Sequence, residues 1–102
     1  MTSVVTALLL SPLWITAEPV DFDKQIRPLL NESCVQCHGP TKQKAGLRFD
    51  AKSHAFKGSD NGVVLVPNKS ADSELYRRIV HADPKKRMPP GEKSLSQAQI
   101  EL

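Results

Sequence analysis

The sequence predicts a small all-α domain, and three observations carry that reading. Apolar residues recur at helical spacing. Phe22, Ile26, Leu29 and Leu30 share one face, and Leu75 and Ile79, with Tyr76 and Val80, form a second stripe. The one apolar run with strand character, Val63-Val64-Leu65-Val66, is closed by Pro67-Asn68 and has no obvious partner. The chain has 102 residues, 39% hydrophobic and 5% aromatic, so it can bury only one thin core. Domains this small are usually held by a staple such as a metal or disulfides.

Residues 1–17 read as a signal peptide. Val4 to Ile15 is mostly apolar but too short to span a bilayer comfortably, and Ile15-Thr16-Ala17 resembles a peptidase site before Glu18. The segment departs from the usual pattern in having no lysine or arginine after Met1. The domain proper is expected over residues 18–102.

Asp21 is placed to cap a first helix, and Pro28 must kink it or start a second. Gly39-Pro40 ends it. The stretch from Thr41 to Val66 is loop-rich, with a short extended piece at Gly46-Leu47-Arg48-Phe49-Asp50 and a short helix from Ala51 to Phe56. Ser70 or Asp72 is expected to cap the next helix, with Arg77 and Arg78 facing outward. A basic loop, Lys85-Lys86-Arg87-Met88-Pro89-Pro90-Gly91, follows. Ser96 and Gln99 then form a capping box for a last helix that stops at Leu102 after barely a turn.

The chemistry lies in Cys34-Val35-Gln36-Cys37-His38, which holds the only two cysteines of the chain. C-x-x-C-H is the attachment signature of a c-type haem. Two thiols a helical turn apart add to the two vinyl groups, and the adjacent histidine becomes the proximal iron ligand. The staple is then one covalent haem c, around which three or four short helices wrap. The second axial ligand is expected from Met88, whose backbone is restrained by Pro89. A thioether there favours ferrous iron and raises the potential. His54 and His81 are the rivals for that position.

Other readings of the motif are weaker. A structural zinc site needs a fourth ligand from His54 or His81, and adjacent Cys37 and His38 rarely share one ion. A thioredoxin-like pair belongs after a strand, and a disulfide across two intervening residues is strained. Arg48 is a candidate partner for a haem propionate, and the Pro40 carbonyl for the His38 Nδ1 proton. The formal charge of +3 is mild, and no aromatic-and-basic groove pattern points to nucleic acid. Lys85-Lys86-Arg87 offers a docking patch for an acidic redox partner.

Taken in order, several segments resemble the Planctomycete-type cytochrome c domain: Phe22-Asp23-Lys24-Gln25-Ile26-Arg27-Pro28-Leu29-Leu30, Cys34-Val35-Gln36-Cys37-His38-Gly39-Pro40, Gly46-Leu47-Arg48-Phe49-Asp50, Val66-Pro67-Asn68-Lys69-Ser70, Ser73-Glu74-Leu75-Tyr76-Arg77-Arg78-Ile79 and Arg87-Met88-Pro89-Pro90. The resemblance covers Val20 to Leu102. It implies haem on Cys34 and Cys37 with His38 and Met88 as axial ligands. The family's last helix runs on through a tryptophan and this chain ends before it, so the domain is expected to be C-terminally incomplete. Members are usually N-terminal modules of long exported proteins, which implies further domains in a full-length form.

The expected function is one-electron transfer in the periplasm or another extracytoplasmic space, as an electron carrier rather than an enzyme. The alternatives are a haem module of a larger exported oxidoreductase and a Cys/His non-haem metal-binding module.

Overall fold

The structure, a computed structural model, describes residues 2–11 and 18–102. The expected cleavage sequence Ile15-Thr16-Ala17 lies outside the described residues. Residues 2–11 form no regular element, and Val4, Val5, Leu8, Leu9 and Leu10 are almost fully exposed. Among the described residues, no helix is long and apolar enough to cross a membrane.

The described residues form short helices and no strand, so the all-α expectation holds at that level. Asp21 is the first cap. Its carboxylate accepts from Lys24 N–H at 3.1 Å, and its own N–H donates to Gln25 Oε1 at 2.8 Å. A π-helical turn, Phe22–Ile26, closes with Arg27 N–H on the Phe22 carbonyl. Helix α1, Arg27–Ser33, then begins with Pro28 in its first turn, where no N–H is required. The proline therefore starts a new helix rather than kinking a long one. Arg27 lies 5.1 Å over the Phe22 ring and pairs with Asp23 at 2.9 Å.

After α1 the chain makes a tight turn, with Cys37 and His38 N–H groups both donating to the Cys34 carbonyl. Gly39 is buried there, and a Cβ on it would lie 2.3 Å from the Val35 carbonyl oxygen. The chain then doubles back. Lys44 N–H donates to the Cys37 carbonyl at 3.0 Å and Phe49 N–H to the His38 carbonyl at 2.8 Å. Gly46–Asp50 is thus tied beside the cysteine turn without forming a strand.

Helix α2, Lys52–Lys57, carries the buried Ala55. Val64, in the extended Val63-Val64-Leu65-Val66 segment, completes a core with Leu47, Phe49 and Ala55. Leu30, Cys34, Val35, Leu65 and Leu75 pack against this core. No side chain in it is fully buried. The core is as thin as composition predicts.

Helix α3, Glu74–Ile79, is capped differently from the expectation. Ser70 and Asp72 lie in a preceding 3-10 turn, and Ser73 occupies the N-cap position. Its side chain turns inward instead of capping: Oγ accepts from Val66 N–H at 2.9 Å and lies near the Val66 and Lys69 carbonyls at 3.2 and 3.0 Å. Ser73 is buried because it ties the extended segment to the helix. Helix α4, Gln97–Glu101, has the expected Ser96–Gln99 capping box.

Candidate functional site

One cavity of about 400 Å³ gathers residues from across the chain. Cys34, Cys37 and His38 reach it from the turn after α1, Leu47 and Phe49 from the returning segment, and Val63 and Val64 from the extended segment. Leu75 and Ile79 on α3 and Met88 with Pro89 on the basic loop complete it. Its size lies within the roughly 300–1,000 Å³ of small-molecule and cofactor pockets.

His38 is oriented from two directions. Its Nδ1 lies 2.9 Å from the Lys44 carbonyl, and Phe49 meets its ring edge-on with centroids 5.9 Å apart. A carbonyl only accepts, so Nδ1 carries the proton and Nε2 keeps a lone pair for a metal. The acceptor is Lys44 rather than the expected Pro40, because the chain turns after Gly39 and brings residue 44 back against Cys37.

Cys34 and Cys37 are both free thiols. Burial pushes the Cys34 thiol up to about 11, so it stays neutral near pH 7. Among the described residues, no group of three or more His, Cys, Asp or Glu is placed to hold a metal ion. Cys34, Cys37 and His38 therefore do not converge as a structural zinc site requires.

Met88 reaches the cavity because its loop is fixed at both ends. Asp83 accepts the N–H groups of Lys86 and Arg87 on its carbonyl and that of Lys85 on its carboxylate. Met88 N–H then donates to the Arg78 carbonyl at the end of α3, at 2.9 Å. The rivals lie elsewhere. Neither His54 nor His81 lines the cavity, and His81 Nδ1 accepts from Asp83 N–H at 3.0 Å.

Arg48 does not line the cavity either. Its guanidinium is paired in a fork with Asp50, at 2.9 and 2.7 Å. The hydrogen bond from Arg48 holds the Asp50 carboxyl below the usual carboxylate range. The cations that do line the cavity are Arg77 and Arg78, both paired with Glu74. The Arg78 hydrogen bond is the main cause of the lowered Glu74 pKa. The sequence signal for this trio was the i, i+3 and i, i+4 spacing of the arginines from Glu74. A helical-wheel reading puts the arginines on the outer face, yet on so short a helix that face borders the cavity mouth.

An apolar cavity joining a C-x-x-C-H turn, a fixed imidazole and a distant thioether defines the cytochrome c class of all-α domains. Residues 34–92, more than half of the chain, match the family model described as Planctomycete cytochrome C, and the chain belongs to that family. The match starts at Cys34 and includes Met88. No curated protein and no solved structure matches the chain. The family suggests haem binding and electron transfer rather than catalysis in its own right.

Proposed function

We propose that the chain carries one haem c bound covalently through Cys34 and Cys37, with His38 and Met88 as axial ligands. It transfers single electrons outside the cytoplasm. The observation that supports this most is the cavity that brings Met88 into the same space as the cysteine turn. Bound haem supplies an iron that takes up and gives back one electron.

The chain's own residues set the conditions for that exchange. Lys44 fixes the His38 proton on Nδ1. Leu47, Phe49, Val64 and Leu75 keep the cavity largely apolar. The hydrogen bond to Arg78 holds the Met88 backbone, and its thioether favours the reduced state. His38 and Met88 would both hold the iron, which would suit a carrier. The exposed Lys85 and Lys86 give an acidic partner protein a docking place beside the methionine loop.

The test is an optical redox titration of the haem-loaded chain. The expected result is one reversible one-electron wave with a thioether-to-iron charge-transfer band in the oxidised form. Loss of that band in Met88→Ala supports the ligand assignment. An unchanged band contradicts it.

A further inference from the structure

Arg77, Arg78 and Glu74 stand at the cavity with chemistry that axial ligation does not use. Glu74 Oε1 accepts from Arg78 Nε at 2.9 Å, and Oε2 accepts from Arg77 Nε at 3.1 Å. One carboxylate thus orients two guanidinium groups. Arg78 Nη1 also donates to the Lys86 carbonyl at 3.3 Å. Each guanidinium has five N–H donors, so several on each remain for a further acceptor. The three side chains are 38–56% exposed, as expected of a cavity rim. The trio carries a net charge of one positive unit beside a largely apolar space.

Resting on the haem reading above, we propose that Arg77 and Arg78, oriented by Glu74, bind the haem carboxylates, and that Arg48 does not. Guanidinium forks match carboxylates in geometry and charge. Arg48 has the right chemistry, but Asp50 already holds its fork outside the cavity. Glu74 is a positioning residue, because it acts through the arginines. The trio also sets the local field at the iron. Cations near the ring favour the reduced state and anions favour the oxidised one.

The test compares midpoint potentials of the haem-loaded full chain and its variants, after intact mass has established haem in each. Arg77→Gln and Arg78→Gln are expected to lower the potential, and the double variant to lower it further than either. Glu74→Gln is expected to raise it. Arg48→Gln is expected to move it less than either cavity arginine does. Arg78→Lys keeps the charge but loses the fork, and should fall between wild type and Arg78→Gln. The Arg78 carbonyl that holds Met88 belongs to the backbone and survives all these changes.

Simple loosening of the domain admits water and lowers the potential in every variant, including Glu74→Gln. A fall in Glu74→Gln therefore overturns the proposal. So does a haem-loaded Arg77→Gln/Arg78→Gln double variant with a wild-type potential, and in that case the haem reading itself stands. If the wild-type chain takes up no haem, both readings fail together.

Discussion

The Lys44 carbonyl accepts from His38 Nδ1, which leaves Nε2 for the ligand role proposed above. The same logic governs the other residues of the site. Met88 has a suitable sulfur, and the loop that brings it to the cavity is held by Asp83 and by the Arg78 carbonyl. Replacing Met88 with Ala should lower the potential by a few tenths of a volt, within the roughly 0.8 V that axial ligands span. The variant should also bind added imidazole, and the wild type should not. An unchanged optical spectrum and potential would sink the assignment. Gly39 is equally constrained. A side chain there collides with the Val35 carbonyl, a backbone atom that cannot swing away. Gly39→Ala should therefore destabilise the domain by about 1–3 kcal/mol, read as a lower urea midpoint. The cysteine–histidine motif was fully legible in sequence, since residue type and spacing are themselves the signal. The Lys44 acceptor was not, because it depends on how the following loop folds back.

Among the elements, the helices were largely readable and their ends less so. The Asp21 cap, the short helix expected from Ala51 to Phe56 and found at Lys52–Lys57, and the Ser96–Gln99 box all follow from local chemistry, and all are present. The start of α3 differs because Ser73 is recruited by the segment four to seven residues upstream, which capping rules alone do not anticipate. Its hydroxyl meets Val66 and Lys69 and is buried. Ser73→Ala leaves the Val66 N–H without its acceptor and should cost about 1–3 kcal/mol. Chemical denaturation measures this, and a wild-type midpoint would show that the tie is not needed. Ser96→Ala should cost about 1 kcal/mol or less, because the short α4 contributes little to the core.

For the whole molecule, the protein's own contribution to stability is a thin core with a few ion pairs around it. Two carboxylates, Asp50 and Glu74, titrate below their usual range because arginines donate to them. The folded state therefore binds their protons more weakly than the unfolded chain does. The stability they contribute is present above about pH 4, the ordinary carboxylate value, and is lost as pH falls through the lowered folded values. Unfolding measured between neutral and strongly acidic pH should show this decline, and Asp50→Asn should make it shallower. An identical acid profile in Asp50→Asn would rule out a contribution from the Arg48–Asp50 pair.

The most direct measurement is the intact mass and absorption spectrum of the chain, produced in a host with cytochrome c maturation machinery. The account predicts a mass raised by one haem that survives denaturation, and loss of that addition when Cys34 and Cys37 are both replaced by Ala. An unmodified mass with no haem absorption would contradict it.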